Sequence, residues 1–176
     1  IAGFGVNGRN VARALAAANI PYLILEMNPE TVRVERGKGM PIAYGDAAHE
    51  AVLRHAYIEA ARVVVVAISD AAATRRVVEL ARRLNPGVYL IARTRYSQEV
   101  GPLSALGANE AIPEEFETSI EIFTSVLREY HVPMNVVDAQ VMLLRQERYS
   151  LLRGRRLPQS VLEQLAISHE LPAYVL

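Results

Sequence analysis

Short apolar runs alternate with longer mixed stretches along most of this chain. Val63-Val64-Val65-Val66-Ala67-Ile68 is the clearest run, unbroken and β-branched, as suits a central parallel strand covered on both faces. Tyr22-Leu23-Ile24-Leu25, Pro41-Ile42-Ala43-Tyr44, Tyr89-Leu90-Ile91-Ala92 and Ala108 to Ile112 are shorter runs of the same kind. The stretches between them read as helices. Arg9 to Asn19 carries Val11 and Leu15 among alanines and ends before Pro21. Asn28 and Pro29 open a helix through Thr31, Val32 and Val34 that stops at Gly37-Lys38-Gly39. Further helices are expected over Ala48 to Ala56 with Asp46 as N-cap, over Ala71 to Leu84 capped by Ser69-Asp70, and over Ser97 to Leu106, closed by Gly107. With Ile1-Ala2 taken as the end of a first strand, six strands alternate with helices. Right-handed crossovers build that pattern into an α/β, Rossmann-like, doubly wound parallel six-stranded sheet of order 3-2-1-4-5-6.

The pattern changes at Pro113, where a long crossover helix is expected, with Glu114 and Glu115 complementing the dipole of its first turn. Phe116, Ile120, Phe123, Leu127 and Tyr130 follow at spacings of 4, 3, 4 and 3, and Ile122 and Val126 add apolar area beside that seam. Two apolar faces on one helix suit two partners. One is its own sheet; the other, through Phe116, Ile120, Phe123 and Leu127, is expected to be a second subunit. A further helix spans Asn135 to Leu152. The expected organisation is a nucleotide-binding domain over 1–112, crossover and dimerisation helices over 113–152, and a linker or the start of a truncated second lobe over 153–176, beginning at Arg153-Gly154-Arg155-Arg156.

The chemistry is concentrated at Gly3-Phe4-Gly5-Val6-Asn7-Gly8, a G-x-G-x-x-G turn between strand and helix. Gly3 allows the tight turn, Gly5 lets a phosphate approach the backbone, and Gly8 lets the helix pack close to the sheet. The free N–H groups of the helix start then face an anion. Glu26, ending the next strand, stands where a carboxylate accepts hydrogen bonds from the ribose hydroxyls of an adenosine. Asp46, Ile68 and Arg93 fall at carboxyl ends of later strands, the edge where open parallel sheets bind ligands. Arg93 and Arg95 are expected to diverge, one reaching a phosphate and the other a subunit contact.

Composition narrows the function. The chain has 176 residues, 51% of them hydrophobic, enough for one domain and part of a second. Nineteen basic and nineteen acidic residues cancel, so charge supplies no general attraction to nucleic acid or anionic lipid. The absence of cysteine excludes disulfides, thiolate metal sites and thiol catalysis. No apolar run approaches the roughly 18 residues of a membrane span. Two residues precede the glycine turn where a strand runs about 5–6, so native residues are expected upstream of Ile1. The histidines His49, His55, His131 and His169 form no H-E-x-x-H or H-x-x-E-H pair, Lys38 is the sole lysine and has Val34 rather than Tyr four residues before it, and no G-x-S-x-G elbow occurs. A nucleotide site without a catalytic group implies a sensor and not an enzyme. The alternative is an NAD-dependent oxidoreductase fragment lacking its substrate domain.

The glycine turn, Glu26, Tyr44-Gly45-Asp46-Ala47, Ile91-Ala92-Arg93-Thr94-Arg95 and Ile112-Pro113-Glu114-Glu115-Phe116-Glu117 stand in one order and spacing. Over about residues 1 to 150 the chain resembles the Trk-type nucleotide-binding domain, or RCK domain (regulator of potassium conductance), with greatest similarity to the cytosolic part of Kef-like monovalent cation:proton antiporters. The resemblance implies a cytoplasmic domain attached to an upstream inner-membrane transporter domain and dimeric through the helix after the sixth strand. It implies NAD(H) or AMP as ligand, with ATP or ADP as alternatives. Residue-wise, Gly3, Phe4, Gly5, Val6, Asn7, Gly8, Glu26, Asp46, Ala47, Ile68 and Arg93 would form the nucleotide site. Glutathione-gated members resemble this chain but carry an arginine where it has Val6 and an aromatic at Asn7, which argues against glutathione control here.

Overall fold

A computed structural model describes residues 1–152 of the chain. The expected linker or second lobe over 153–176 lies outside the described residues. The helices are α1 (Val6–Ala17), α2 (Pro29–Gly37), α3 (Glu50–His55), α4 (Ala71–Leu84), α5 (Val100–Ala105), α6 (Glu114–Glu129) and α7 (Met134–Leu152). The strands are β1 (Ile24–Glu26), β2 (Ile42–Tyr44), β3 (Val63–Val66), β4 (Tyr89–Thr94) and β5 (Glu110–Pro113). Two compact units divide within α6, one over Ile1–Glu117 and one from Thr118 onward.

All strand pairing is parallel. β1 pairs with β2, Ile24 opposite Ile42; β3 pairs with β4, Val64 opposite Leu90; and β4 pairs with β5, Arg93 opposite Ile112. Six strands in one sheet were expected; the described residues contain five, in ladders of two and three. Ile1-Ala2 is the difference. Ala2 makes one parallel bridge to Leu25 and one to Val66, with backbone hydrogen bonds on both sides, and stands where the first strand was expected. The architecture is α/β and Rossmann-like, with helices between parallel strands.

Local chemistry sets the element ends. Asn28 Oδ1 accepts from Glu30 N and Thr31 N, both at 3.0 Å, and Pro29 fills the first position of α2, where its missing N–H costs nothing. Asp70 Oδ1 accepts from Ala73 N at 2.7 Å to start α4. The stretch expected as one helix over Ser97 to Leu106 is a 3-10 turn, Ser97–Glu99, followed by α5. Pro102 has no N–H to bond back to Gln98, so no α-helical bond can join the two pieces there. The helix expected from Ala48 begins at Glu50, with His49 at its N-cap.

One core cluster lies beneath the glycine turn. Phe4, Ala12, Ile24, Val32 and Ile42 pack together, with Ile1, Tyr22 and Met40 against them. It joins the turn, α1, α2, β1 and β2, so the core fixes the height of the turn over the sheet. Deleting most of a fully buried side chain such as Ile24 costs about 2–5 kcal/mol.

Candidate functional site

The glycine turn has the geometry its pattern predicts. Gly3 has φ +94°, and a Cβ there would stand 3.1 Å from the Ala67 carbonyl oxygen. At Gly8 a Cβ would fall 2.1 Å from the Gly3 carbonyl oxygen, an impossible contact. Gly5 differs: a Cβ there would meet nothing within 4 Å. The first and third glycines are therefore required by the protein's own packing. The second opens onto free space, where a ligand can come up to the backbone. Gly5 is also the N-cap of α1, and no side chain caps that helix among the described residues. Its leading N–H groups point outward, as an anion requires.

Glu26 ends β1 beside this turn. Its Oε2 accepts from Phe4 N and its Oε1 from Asn28 N, each at 2.8 Å. Each oxygen keeps a second lone pair for a hydroxyl donor. Phe4 enters the site through its N–H alone. The residue is 4% exposed and packed in the core, with the Arg9 guanidinium 5.0 Å from the ring centroid. The Val6 side chain is exposed.

Gly45 N donates to the Glu26 carbonyl at 3.0 Å, which brings the end of β2 beside the end of β1. Asp46 was expected to cap the following helix. Instead its Oδ1 accepts from Ala48 N at 2.9 Å, closing a tight turn ahead of α3. Its Oδ2 stands 3.1 Å from His49 Nδ1. Ala47 is buried within this turn.

The β3–β4 side is held by side chains. Arg93 Nη1 donates to the Ile68 carbonyl at 3.2 Å, Nε donates to Glu114 Oε1 at 2.5 Å, and Nη2 donates to Glu114 Oε2. Asn7 Nδ2 donates to the same Glu114 Oε1 at 2.9 Å. The Arg93 guanidinium, with help from the Asn7 amide, holds the Glu114 carboxyl below the usual carboxylate range against a smaller opposing effect of burial. Arg95 lies past the end of β4, exposed, with its guanidinium 5.5 Å from the Tyr96 ring centroid. Residues two apart on a strand share a face, and Arg93 and Arg95 line one pocket and both lower the Glu114 carboxyl, rather than diverging as expected. A pocket of about 170 Å³ opens here, lined among others by Ile68, Thr74, Arg93, Arg95, Tyr96 and Glu99.

Glu114 is the site residue that sequence reasoning missed. As one acid of Glu114-Glu115-x-Glu117 at a helix start, it read as a dipole complement. In the structure Thr94 stands opposite Pro113, which brings the start of α6 to the end of β4, where Arg93 reaches Glu114. Glu115 is engaged too, accepting from Ser97 N at 2.6 Å. Among the described residues no cluster of three or more His, Cys, Asp or Glu is arranged to hold a metal ion.

A glycine turn at a helix start, an acid ending the neighbouring strand and an arginine two strands away, all on one parallel edge, define a Rossmann-type nucleotide-binding domain. The family model of the TrkA-N domain matches residues 1–114, and the chain belongs to that family. It is 34% identical over 153 residues, 87% of this chain, to an Alkalimonas amylolytica protein named for K(+) efflux antiporter KefB, and 30% identical over 117 residues to an Escherichia coli K12 protein named for cation/proton antiporter YbaL. The chain spans 23% and 21% of the lengths of those two relatives. Among solved structures, it is similar to the Kef C-terminal domain of Shewanella denitrificans in its AMP-bound form, with TM-score 0.75 and 25% identity over 87% of this chain and 93% of that one. The TrkA-N domain of the E. coli inner membrane protein YbaL matches with TM-score 0.67 and 29% identity, covering 69% of this chain and 90% of that one.

Proposed function

We propose that the chain is a regulatory domain that senses an adenine nucleotide, AMP or NAD(H) ahead of ATP or ADP, and gates a potassium or other monovalent cation antiporter. The observation that carries this reading is Glu26, held by two backbone N–H groups beside a glycine turn whose middle glycine is open. The AMP-bound state of the similar Kef C-terminal domain and the antiporter names of the relatives support the ligand class and the attachment. On this reading Gly5, Val6, Asn7 and Gly8 offer N–H groups to a phosphate, Glu26 accepts from the ribose, and Asp46 and Ala47 flank the base. On the same reading the two ladders are one layer in the order β2, β1, Ala2, β3, β4, β5, an arrangement supported by the bridges of Ala2 to Leu25 and to Val66. The domain works from the cytoplasmic side of an inner membrane and has no reaction of its own. Titration calorimetry with AMP and NADH tests the reading: saturable one-site binding of either supports it, and no binding of either at millimolar concentration removes it.

The same reading includes a homodimer built on α6. Phe116 and Ile120 are already buried in the single chain, whereas Phe123 and Leu127 are half-buried and Ile122, Val126 and Tyr130 are exposed. The far part of the helix thus keeps apolar area for a second subunit. Phe123→Asp should convert the dimer to a monomer in sedimentation, because a buried unpaired carboxylate is strongly unfavourable. Binding and assembly should be linked by about 1–3 kcal/mol, so nucleotide affinity should differ between the two states. A wild-type monomer at tens of micromolar would remove the dimer while leaving the nucleotide site in place.

A further inference from the structure

Glu114 is the first residue of α6, yet its carboxylate is held by groups from two other elements. Oε1 accepts from Asn7, the second residue of α1, and from Arg93 on β4; Oε2 accepts from Arg93 again. Arg93 passes the connection on to the Ile68 carbonyl, just beyond β3. Asn7, Glu114, Arg93 and Ile68 therefore form one hydrogen-bonded chain from the start of α1 to the end of β3. In a Rossmann-type site with adenosine at Glu26, a ligand's phosphates lie along that same line. A pyrophosphate sits at the helix N-terminus, and a dinucleotide continues across the switch point toward the far strands. The Glu114 carboxylate is thus an anion standing where a ligand anion would go. Its pairing with Arg93 uses both Nε and Nη2, the fork with which a guanidinium would grip phosphate.

We propose that Glu114 is an internal competitor for the ligand's phosphate groups and thereby a specificity-determining residue: its carboxylate must leave Arg93 and Asn7 before a diphosphate can use them. This rests on the reading of the site as an adenine-nucleotide site. A monophosphate held by the N–H groups of the glycine turn need not reach Arg93, and Glu114 barely opposes it. The second phosphate of ADP or NAD extends toward Arg93 and meets a carboxylate already in place. Displacing Glu114 also releases the first residue of α6 from α1 and β4, so a diphosphate would change how that helix is anchored and a monophosphate would not.

The competing account makes Glu114 a positioning residue that holds Arg93 ready for phosphate, and the two accounts predict opposite signs. Titration calorimetry with AMP, ADP and NAD on the wild-type chain and Glu114→Gln separates them. Glutamine keeps the shape and one acceptor but removes the charge. ADP and NAD should bind the variant about tenfold more tightly, the scale of one charge-assisted hydrogen bond, and AMP less than about threefold more tightly on the same scale. Unchanged or weaker ADP and NAD binding overturns the proposal and leaves the site reading intact, provided the wild type binds AMP. Wild-type protein that binds none of the three overturns the site reading, and the proposal with it. Should Glu114→Gln melt early, Glu114→Asp decides: it keeps an acid at the start of α6 but is too short to span Asn7 and Arg93 together. A gain for ADP over AMP supports the proposal; no gain overturns it.

Discussion

The two halves of the sheet edge hold their polar groups by different means. On the β1–β2 half, backbone does the holding. Phe4 and Asn28 N–H groups fix Glu26, Gly45 N–H bonds the Glu26 carbonyl, and Gly3 N–H bonds the Leu25 carbonyl. On the β3–β4 half, side chains hold one another: Asn7, Glu114 and Arg93. Backbone bonds come with the fold and cannot be exchanged without undoing it. A side-chain pair can be traded for a ligand anion at the cost of a rotamer change and one ion pair. On the proposed reading, the first half would serve as a fixed receptor for an adenosine. The second is adjustable, which is what a sensor needs at the place where ligand and crossover helix meet.

The contrast breaks most visibly at the glycines. Gly8→Ala should cost about 3 kcal/mol of stability, the scale of forced overpacking, because its Cβ would fall 2.1 Å from the Gly3 carbonyl oxygen. Urea unfolding measures it. Gly5→Ala, with nothing within 4 Å of its Cβ, should lose only about 1 kcal/mol, as at other N-caps changed to Ala, while weakening nucleotide binding, since the methyl fills the space left for phosphate. Equal stability losses at the two positions would mean that the turn is shaped by packing alone.

A smaller effect is expected at Asp46. Its side chain closes the turn before α3 through Ala48 N–H, so Asp46→Ala should lose about 1 kcal/mol by thermal or urea melting, as for other side-chain caps. An unchanged melt would show that the His49–Asp46 turn is held by its backbone, like the neighbouring β1 end.

The smallest effect distinguishes the halves by pH. Glu114 is depressed in the folded state below its ordinary value of 4.5, first by its hydrogen bonds from Arg93. A depressed carboxyl contributes stability that is fully present above the unfolded value and is lost as pH falls through the folded one. The Arg93–Glu114 contribution should thus be flat through neutral pH and fade only in acid below 4.5. The side chains are 19% and 38% exposed, so the change is modest and screened by salt. Comparing the pH dependence of unfolding for wild type and Glu114→Gln isolates it; parallel curves down to pH 3 would mean that the pair contributes nothing measurable.

The fixed half was legible in the sequence; of the adjustable half Asn7, Ile68 and Arg93 were named but not the Glu114 carboxylate that joins them, for a physical reason. Gly3, Gly8 and Glu26 act through backbone geometry and strand ends, and short-range patterns encode both. The caps of α2 and α4 at Asn28 and Asp70 were legible in the same way. The Glu114–Arg93–Asn7 chain depends on three elements meeting, and residues 7 and 114 are brought together only by the sheet. A run of acids at a helix start looks the same whether or not one of them faces an arginine. Local competition explains the smaller misses: Pro102 cut a helix that apolar spacing had drawn as continuous, and Asp46 found a nearer N–H in the turn than in the helix beyond it. The expected first strand is represented among the described residues by Ala2, which bridges Leu25 and Val66.

The central claim is that Glu26 and the glycine turn form a receptor for an adenosine with a free 2′-hydroxyl. Titration calorimetry with NADH and NADPH on the wild-type domain and on Glu26→Ala tests it most directly. The account predicts that NADH binds and NADPH does not, because a carboxylate accepts from a hydroxyl and repels a 2′-phosphate. It also predicts that Glu26→Ala loses about 1.5–3 kcal/mol of NADH affinity per charge-assisted bond removed. Wild-type protein that binds NADPH as tightly as NADH, or a Glu26→Ala variant that binds NADH as tightly as wild type, would contradict it.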